Sequence, residues 1–360
     1  MKYTCFPKHK HERLNWVYHM IIINKPLKHM KALKYILIIF ILSLGLFIIL
    51  PKQESHSWGF YGHKRINRMA VFTLPPEMIT FYKLHIEFIT NHAVDPDKRR
   101  YAVDGEAPRH YIDIDHYGLQ AFDSIPKYWK QAIEKYTEDT LMAYGIVPWQ
   151  IEKHYYKLLN AFKEENLNKI LHYSADIGHY IADAHVPLHT TSNYNGQLTG
   201  QKGIHGFWES RIPEIKAEKY DYFLGRANYI ESPIKTAWKI VHDSHMAVDS
   251  VLKFEAQLNS TFPQDQKYAY ENKGSITQKV YSIEYTNRYN LMLNGQVERR
   301  MRESIIMVGS LWYTAWVNAG KPNLEKLSLQ NMSDSLKLAL QKDEALYLEQ
   351  KNKNVKGHND

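Results

Sequence analysis

The chain of 360 residues has a single cysteine, Cys5, which excludes an internal disulfide and any metal site built on thiolates. It has no run of alternating apolar and polar residues of the kind that builds a sheet, and no internal repeat. Only Tyr281 to Tyr285 reads as a short extended piece. Beyond residue 57 it also has little net charge. Residues 1–57 carry eight Lys and one Arg against two Glu, so they hold +7 of the chain's +8 and leave about +1 for the rest. The basic balance therefore belongs to the N-terminal segment and lends no support to nucleic-acid binding. Apolar and aromatic residues are plentiful enough for a core, which argues against disorder. The nineteen histidines hint at metal.

Tyr35 to Leu50 is almost unbroken apolar sequence, interrupted only by Ser43 and Gly45. Lys28, Lys31 and Lys34 precede it, and Ser55-His56-Ser57 follow. This is the layout of a signal peptide, with a basic region, an apolar region and small residues at the cut. Sixteen residues fall short of the roughly 20 that a spanning helix needs, so cleavage is the expectation and retention as a membrane anchor the alternative. Met30-Lys31-Ala32-Leu33-Lys34 reads as a normal signal opening, and a start there would remove Cys5. The expected organisation is an export segment over 1–57, a main domain over 58–325 and a polar C-terminal tail over 326–360. The expected location is exported, periplasmic or extracellular.

From Trp58 onward the apolar residues recur at helical spacing, which predicts an all-α, compact multi-helix domain. A helix begins at Pro75-Pro76, with Ile79, Tyr82, Ile86 and Ile89 on one face. Others begin near Pro126, Pro148 and Leu167, where a proline in the first turn is tolerated. A long helix is expected from Pro233 to about Leu258, and another from Val297 to Asn318, stopped by Gly320 and Pro322. Loops are expected over 91–125 and 190–228, and 264–277 reads as polar and exposed. A weak amphipathic helix around Leu336 and Leu340 belongs to the tail.

The densest chemistry lies in His179-Tyr-Ile-Ala-Asp183-Ala-His185-Val-Pro187-Leu-His189. His179 and Asp183, four apart on a helix, project from one face. Pro187 ends that helix, and His189 on the exit can fold back toward the same space. His205 and Glu209 repeat the four-residue spacing. Imidazole and carboxylate together suit a borderline cation such as zinc. One such pair is common by chance, but two joined by a proline-linked histidine point to metal. His92, His154 and His172 have no partner at ligand spacing and read as ordinary polar residues.

This segment resembles the zinc-dependent phospholipase C and single-strand nuclease superfamily, whose hallmark is His-x-x-x-Asp-x-His-x-Pro-Leu-His followed by His-x-x-x-Asp/Glu. In that family the mature chain starts with Trp, and Trp58 stands directly after the cut signal, with His63 following in Trp58-Gly-Phe-Tyr-Gly-His63. Asp95 and His110, fifteen apart, complete the family's order, and Arg109-His110-Tyr111-Ile112-Asp113 resembles its His-bearing segment. The resemblance implies three zinc ions. One would be held by Asp95, His110, His179 and Asp183, and a second by His189, His205 and Glu209. The third would take the Trp58 amine and carbonyl with His63, sharing Asp183. Asp95 would orient or deprotonate the attacking water, and it is preferred to Asp97 on its spacing to His110. Asp113, Asp115 and His116 are expected to hydrogen-bond ligand imidazoles, and His185 to be no ligand. Phe60, Tyr61 and Trp208 flank ligands and are the expected substrate-binding aromatics; Tyr180 also flanks them, and core packing is the commoner fate of all four.

The implied activity is hydrolysis of phosphoric ester bonds, with phospholipid or single-stranded nucleic acid as substrate and no obligate protein partner. Membrane contact is expected only through the export segment or a lipid substrate. The Trp58–His63 and Asp95–His110 spacings lean toward the nucleases. Glu209 in place of Asp, and the absence of disulfides, lean toward the phospholipases. Region 214–300 is longer than either branch suggests and is expected to reshape the cleft rim. Two readings from other classes are a hemerythrin-like di-iron helical binding protein and a non-catalytic membrane-anchored helical protein.

Overall fold

Apolar residues three and four apart run through most of the chain, and helices are what form. The computed structural model describes residues 59–273, 276–328 and 333–350. Its longer helices are α1 (Gly59–Ala70), α2 (Val147–Lys163), α3 (Leu167–Ala184), α4 (Pro233–His245), α5 (Val248–Thr261), α6 (Ile283–Met292), α7 (Gln296–Asn318) and α8 (Asp334–Gln350). Short helical turns fill the segments over 91–125 and 190–228. Among the described residues the strands are β1 (Tyr268–Lys273) and β2 (Ile276–Tyr281), an antiparallel hairpin registered from Tyr268 opposite Tyr281 to Lys273 opposite Ile276. The export segment over 1–57 and Trp58 lie outside the described residues, as do 351–360. No described helix is long and apolar enough to cross a membrane.

The helix starts follow local chemistry. Pro148 sits in the first turn of α2 and Pro233 opens α4, where a missing N–H costs nothing. Asn166 caps α3 by accepting the Lys169 N–H, and Ser282 caps α6 by accepting that of Tyr285. Helix α3 is buried along most of its length, and the buried residues include the polar Asp176, His179 and Asp183 as well as its apolar side chains. It packs along α2 and against α1 and α7. Trp312 of α7 donates its indole N–H to the Ser174 carbonyl at 3.0 Å and stacks on Tyr82 at 4.8 Å. Truncating so large a buried ring costs about 3–5 kcal/mol.

Close approach of α1 to α3 depends on Gly178. A Cβ there would lie 2.0 Å from Asn67 Oδ1, and Asn67 Nδ2 donates to the Ala175 carbonyl at 3.0 Å. Gly178→Ala would force these helices apart, at a typical overpacking cost of about 1–3 kcal/mol. The contact brings His63 of α1 over His179 of α3, their rings stacked at 3.9 Å.

Three expectations are corrected. The single helix from Pro233 to Leu258 is two, α4 and α5, broken at Met246–Ala247. Ser244 Oγ donates to the Ala184 carbonyl at 2.5 Å and His245 Nδ1 to that of Thr190 at 2.9 Å, so α4 ends on the α3 exit loop while α5 turns to α6. The exposed loop over 264–277 is largely β1 and its approach, and Tyr285, read as extended, is helical. Tyr, Val and Thr in β1 and β2 are strand formers. A lone hairpin is marginal in water, and this one gains its support from packing: Tyr281 stacks on Phe207 at 3.9 Å. Past Pro322, Leu324 and Leu327 are buried, and Glu344 of α8 pairs with Lys98.

Candidate metal centre

Five buried side chains from four segments meet at one point. His63 comes from α1, Asp97 from the turn of helix Asp95–Arg99, His110 from the end of Ala107–His110, and His179 and Asp183 from α3. Asp183 Oδ2 lies 2.9 Å from His110 Nδ1 and 3.1 Å from His179 Nε2. Its Oδ1 lies 3.4 Å from His63 Nε2 and 3.9 Å from His189 Nδ1. Asp97 Oδ1 lies 3.5 Å from His179 Nε2 and 3.7 Å from His110 Nδ1, and its Oδ2 is 4.0 Å from His63 Nε2. Four ligands about 2.0–2.1 Å from a tetrahedral zinc stand roughly 3.3 Å apart, so these separations bracket what one cation needs.

A further group lies beside it. Glu209 Oε2 is 3.1 Å from His205 Nε2 and 3.4 Å from His189 Nε2. His205 sits in the turn Ile204–Gly206, and Glu209 in a π-helical turn, Phe207–Arg211, that continues it. Such π turns are rare and frequently found at functional sites. His189 is carried on the Pro187–Thr190 turn, folded back as the sequence suggested. In all, the described residues form three groups able to hold a metal ion: His63–Asp97–His179, His110–His179–Asp183 and His189–His205–Glu209.

Hydrogen bonds set which ring nitrogen faces the centre. A carbonyl only accepts, so His179 Nδ1 donates to the Ala93 carbonyl at 2.8 Å and presents Nε2 to the carboxylates. His189 Nδ1 donates to the His110 carbonyl at 2.6 Å and presents Nε2 to Glu209. Neither carboxylate oxygen of Glu209 has a hydrogen-bond partner, nor has Asp183 Oδ1, though all are buried. A buried carboxylate left so is costly without a cation.

The protonation pattern fits a donor set. Burial pushes His110 down to about 4 and lowers His63 as well. Burial alone would also lower His179, but the Asp183 and Asp97 carboxylates beside it raise it to about 9. Burial opposes ionisation of Asp183 and Asp97, yet the surrounding imidazoles, His179 foremost, hold both below the usual carboxylate range, Asp183 far below. The centre thus keeps its acids ionised and shares protons among its imidazoles, which an incoming metal would displace.

Asp95 is a correction. Its Oδ2 pairs with His92 Nδ1 at 2.6 Å and its Oδ1 lies 3.6 Å from Lys98 Nζ, away from the other ligands, while Asp97 stands among them. Residues two apart on a helix point about 200° apart, so only one of the two aspartates can face α3. Trp208 is fully buried, with its indole N–H on Gln296 Oε1 at 3.1 Å, so it is core and offers no surface to a substrate. Tyr61 stays partly exposed and donates to Glu218 Oε1 at 2.6 Å, and Phe60 is partly exposed beside it. Asp115 does not reach a ligand ring as expected; it accepts from Thr191 Oγ1 at 2.9 Å and Ser192 Oγ at 2.6 Å and ties down the loop after His189. His116 stacks on Tyr144 at 3.2 Å. His185 donates to the Ile181 carbonyl at 2.7 Å and belongs to none of the three groups.

Sequence reasoning missed two features. His172 does have a partner at ligand spacing, Asp176 at 3.5 Å, and His154 lies 3.7 Å from the same carboxylate. Arg99 already occupies Asp176 Oδ2 at 2.7 Å, so this carboxylate has a cation supplied by the chain, although its Oδ1 accepts no hydrogen bond among the described residues. The other is Glu106, fully buried, which accepts from Tyr180 Oη and Arg109 and lies 3.8 Å from His110 Nε2. A carboxylate behind the far nitrogen of a ligand histidine is the usual way such a ring is held. Its signal was present, since Glu106 and His110 are four apart.

No protein-family model matches the chain, and no curated protein matches it.

Proposed function

We propose that the protein is an exported, zinc-dependent phosphodiesterase that holds three ions, of the phospholipase C or single-strand nuclease type. The observation that carries this reading is Asp183. Its two oxygens face different imidazoles, His110 and His179 on one side and His63 on the other, and among the described residues no Lys or Arg pairs with it. A carboxylate so placed suits a bridge between cations.

On this reading His110, His179, Asp183 and Asp97 hold one zinc, with Asp97 replacing Asp95. His189, His205 and Glu209 hold a second, three protein ligands leaving room for water and substrate. His63 and Asp183 hold the third with the amine and carbonyl of Trp58, once cleavage makes Trp58 the N-terminus. Gly59, the first described residue, lies against Ser210, which follows Glu209. The ions would supply a Lewis acid for the phosphoryl oxygens and a water acidic enough to attack phosphorus. The chain's own part is positioning. The Ala93 and His110 carbonyls fix the rings of His179 and His189, and Asp97 is the carboxylate placed to orient the attacking water. Phe60 and Tyr61 remain as aromatic surfaces for a substrate.

The test is metal content after growth with zinc and iron supplied, with turnover of bis(p-nitrophenyl) phosphate, phosphatidylcholine vesicles and single-stranded DNA side by side. Zinc, with hydrolysis of the simple diester abolished by His179→Ala or His189→Ala and retained by His172→Ala, is the expected result. Two irons with a visible absorbance, or unchanged turnover in the first two variants, would overturn the reading. The two natural substrates separate phospholipase from nuclease.

A further inference from the structure

The ligands of His189–His205–Glu209 lie outside the long helices that carry most of the other positions. They sit on a turn and a π-helical segment, and what grips that segment is the region from α5 to α6. Arg211, two residues past Glu209, lays its guanidinium on Glu271 of β1, with Nη1 2.8 Å from Oε2 and Nη2 2.5 Å from Oε1. Its Nε donates to the Tyr281 carbonyl of β2 at 3.0 Å. Phe207, two residues before Glu209, stacks on Tyr281 at 3.9 Å and on Tyr289 of α6 at 4.9 Å. On the other side of His205, Gln201 Nε2 donates to Glu255 Oε2 of α5 at 2.7 Å and to the Leu252 carbonyl at 2.8 Å. Glu255 is buried, and its Oε1 accepts from Lys267 Nζ at 3.0 Å and Tyr285 Oη at 2.7 Å. The metal-bearing stretch is thus held at residues 201, 207 and 211, each time by α5, the hairpin or α6.

We infer that the region Val248–Met292 is a clamp whose role is to assemble the His189–His205–Glu209 position, so that an ion there binds or leaves independently of the helix-borne positions. The inference rests on the metal reading above. Arg211, Glu271 and Glu255 are positioning residues, acting through the backbone that carries His205 and Glu209. A bidentate guanidinium–carboxylate pair is suited to this because it fixes direction as well as distance.

The experiment is cobalt titration of the purified full chain, read by the visible spectrum and by bound metal after equilibrium dialysis, with thermal denaturation alongside. Glu271→Gln removes one arm of the pair at the surface. It should weaken one cobalt ion by about 10–100-fold, the usual cost of losing such outer support, and leave the others unchanged. The exchanged pair Arg211→Glu with Glu271→Arg should recover part of the loss. In a His205→Ala background, Glu271→Gln should add nothing, since the ion it supports is already gone. Unchanged affinities in Glu271→Gln, or all ions weakening together in step with a fall in Tm, would overturn the clamp while leaving the metal reading standing. A wild-type chain that binds no cobalt would overturn both.

Discussion

Helix α3 carries the same four-residue motif twice, His172 with Asp176 and His179 with Asp183, seven residues apart and therefore on one face. Both aspartates are buried, and both are held far below the usual carboxylate range against the burial that opposes their ionisation. Their surroundings differ. Asp176 receives the guanidinium of Arg99 at 2.7 Å, a permanent cation supplied by the chain. Asp183 meets imidazoles from His63, His110, His179 and His189, which carry charge only when protonated. The first cluster is electrically complete as folded. The second has a charge that must come from protons or from outside, and that is the difference between a structural ion pair and a group that could hold a metal ion.

The comparison breaks most sharply at Asp183. Asp183→Ala should lower diester turnover by on the order of a thousandfold or more, since a metal contributes several kcal/mol to such a transition state. Bound zinc should fall with it. Metal analysis and initial rates check this, and full activity in that variant would refute the role of the bridge. Asp176→Asn should do the reverse, keeping zinc while losing about 3 kcal/mol of stability, because buried Arg99 loses its nearer carboxylate and keeps only Glu106, 3.9 Å away. The sign with pH follows from a depressed acid. The contribution of Asp176 is present above its unfolded value near about 3.9 and is lost as pH falls through its lower folded value. Denaturant titrations of wild type and Asp176→Asn should therefore converge only as pH drops below about 4.

Smaller effects sharpen the picture around the centre. Asp97→Ala should cost roughly a hundredfold in kcat/KM, or about 2.7 kcal/mol, while Asp95→Ala stays within about twofold. The opposite ranking would restore the ligand that spacing alone favours. Glu106→Gln should be the mildest, weakening one ion by about tenfold as the far side of His110 loses its carboxylate. Isothermal titration with zinc would detect it, and an unchanged isotherm would confine Glu106 to its bonds with Arg109 and Tyr180.

Much of this was legible along the chain. Helical periodicity anticipated the helices over 147–163, 167–184 and 296–318, and the motif after His179 brought together residues that the fold does gather. Trp58 and the export segment are outside the described residues, so that part of the reading stands as proposed. What failed has physical causes. Asp95 and Asp97 are separated by helix phase, which spacing to His110 cannot register. The hairpin was hidden because its strands are polar and its stability lies in Tyr281 against Phe207, seventy-odd residues away in the chain. Trp208 flanks a ligand in sequence, yet its ring points into the core.

By itself the sequence determined the inventory: helices from periodicity, a donor set of imidazole and carboxylate without thiol, and pairs at a spacing that places both members on one helix face. Those are local properties, written within a turn or two of chain. Only the tertiary structure decided which pair is filled and which is left wanting a cation. Arg99 comes to Asp176 across 77 residues, and α1, the Ala107–His110 turn and α3 come together around Asp183 with no Lys or Arg among its partners in the described residues. Charge balance in a buried site is a sum over neighbours distant in sequence, and no spacing rule contains it.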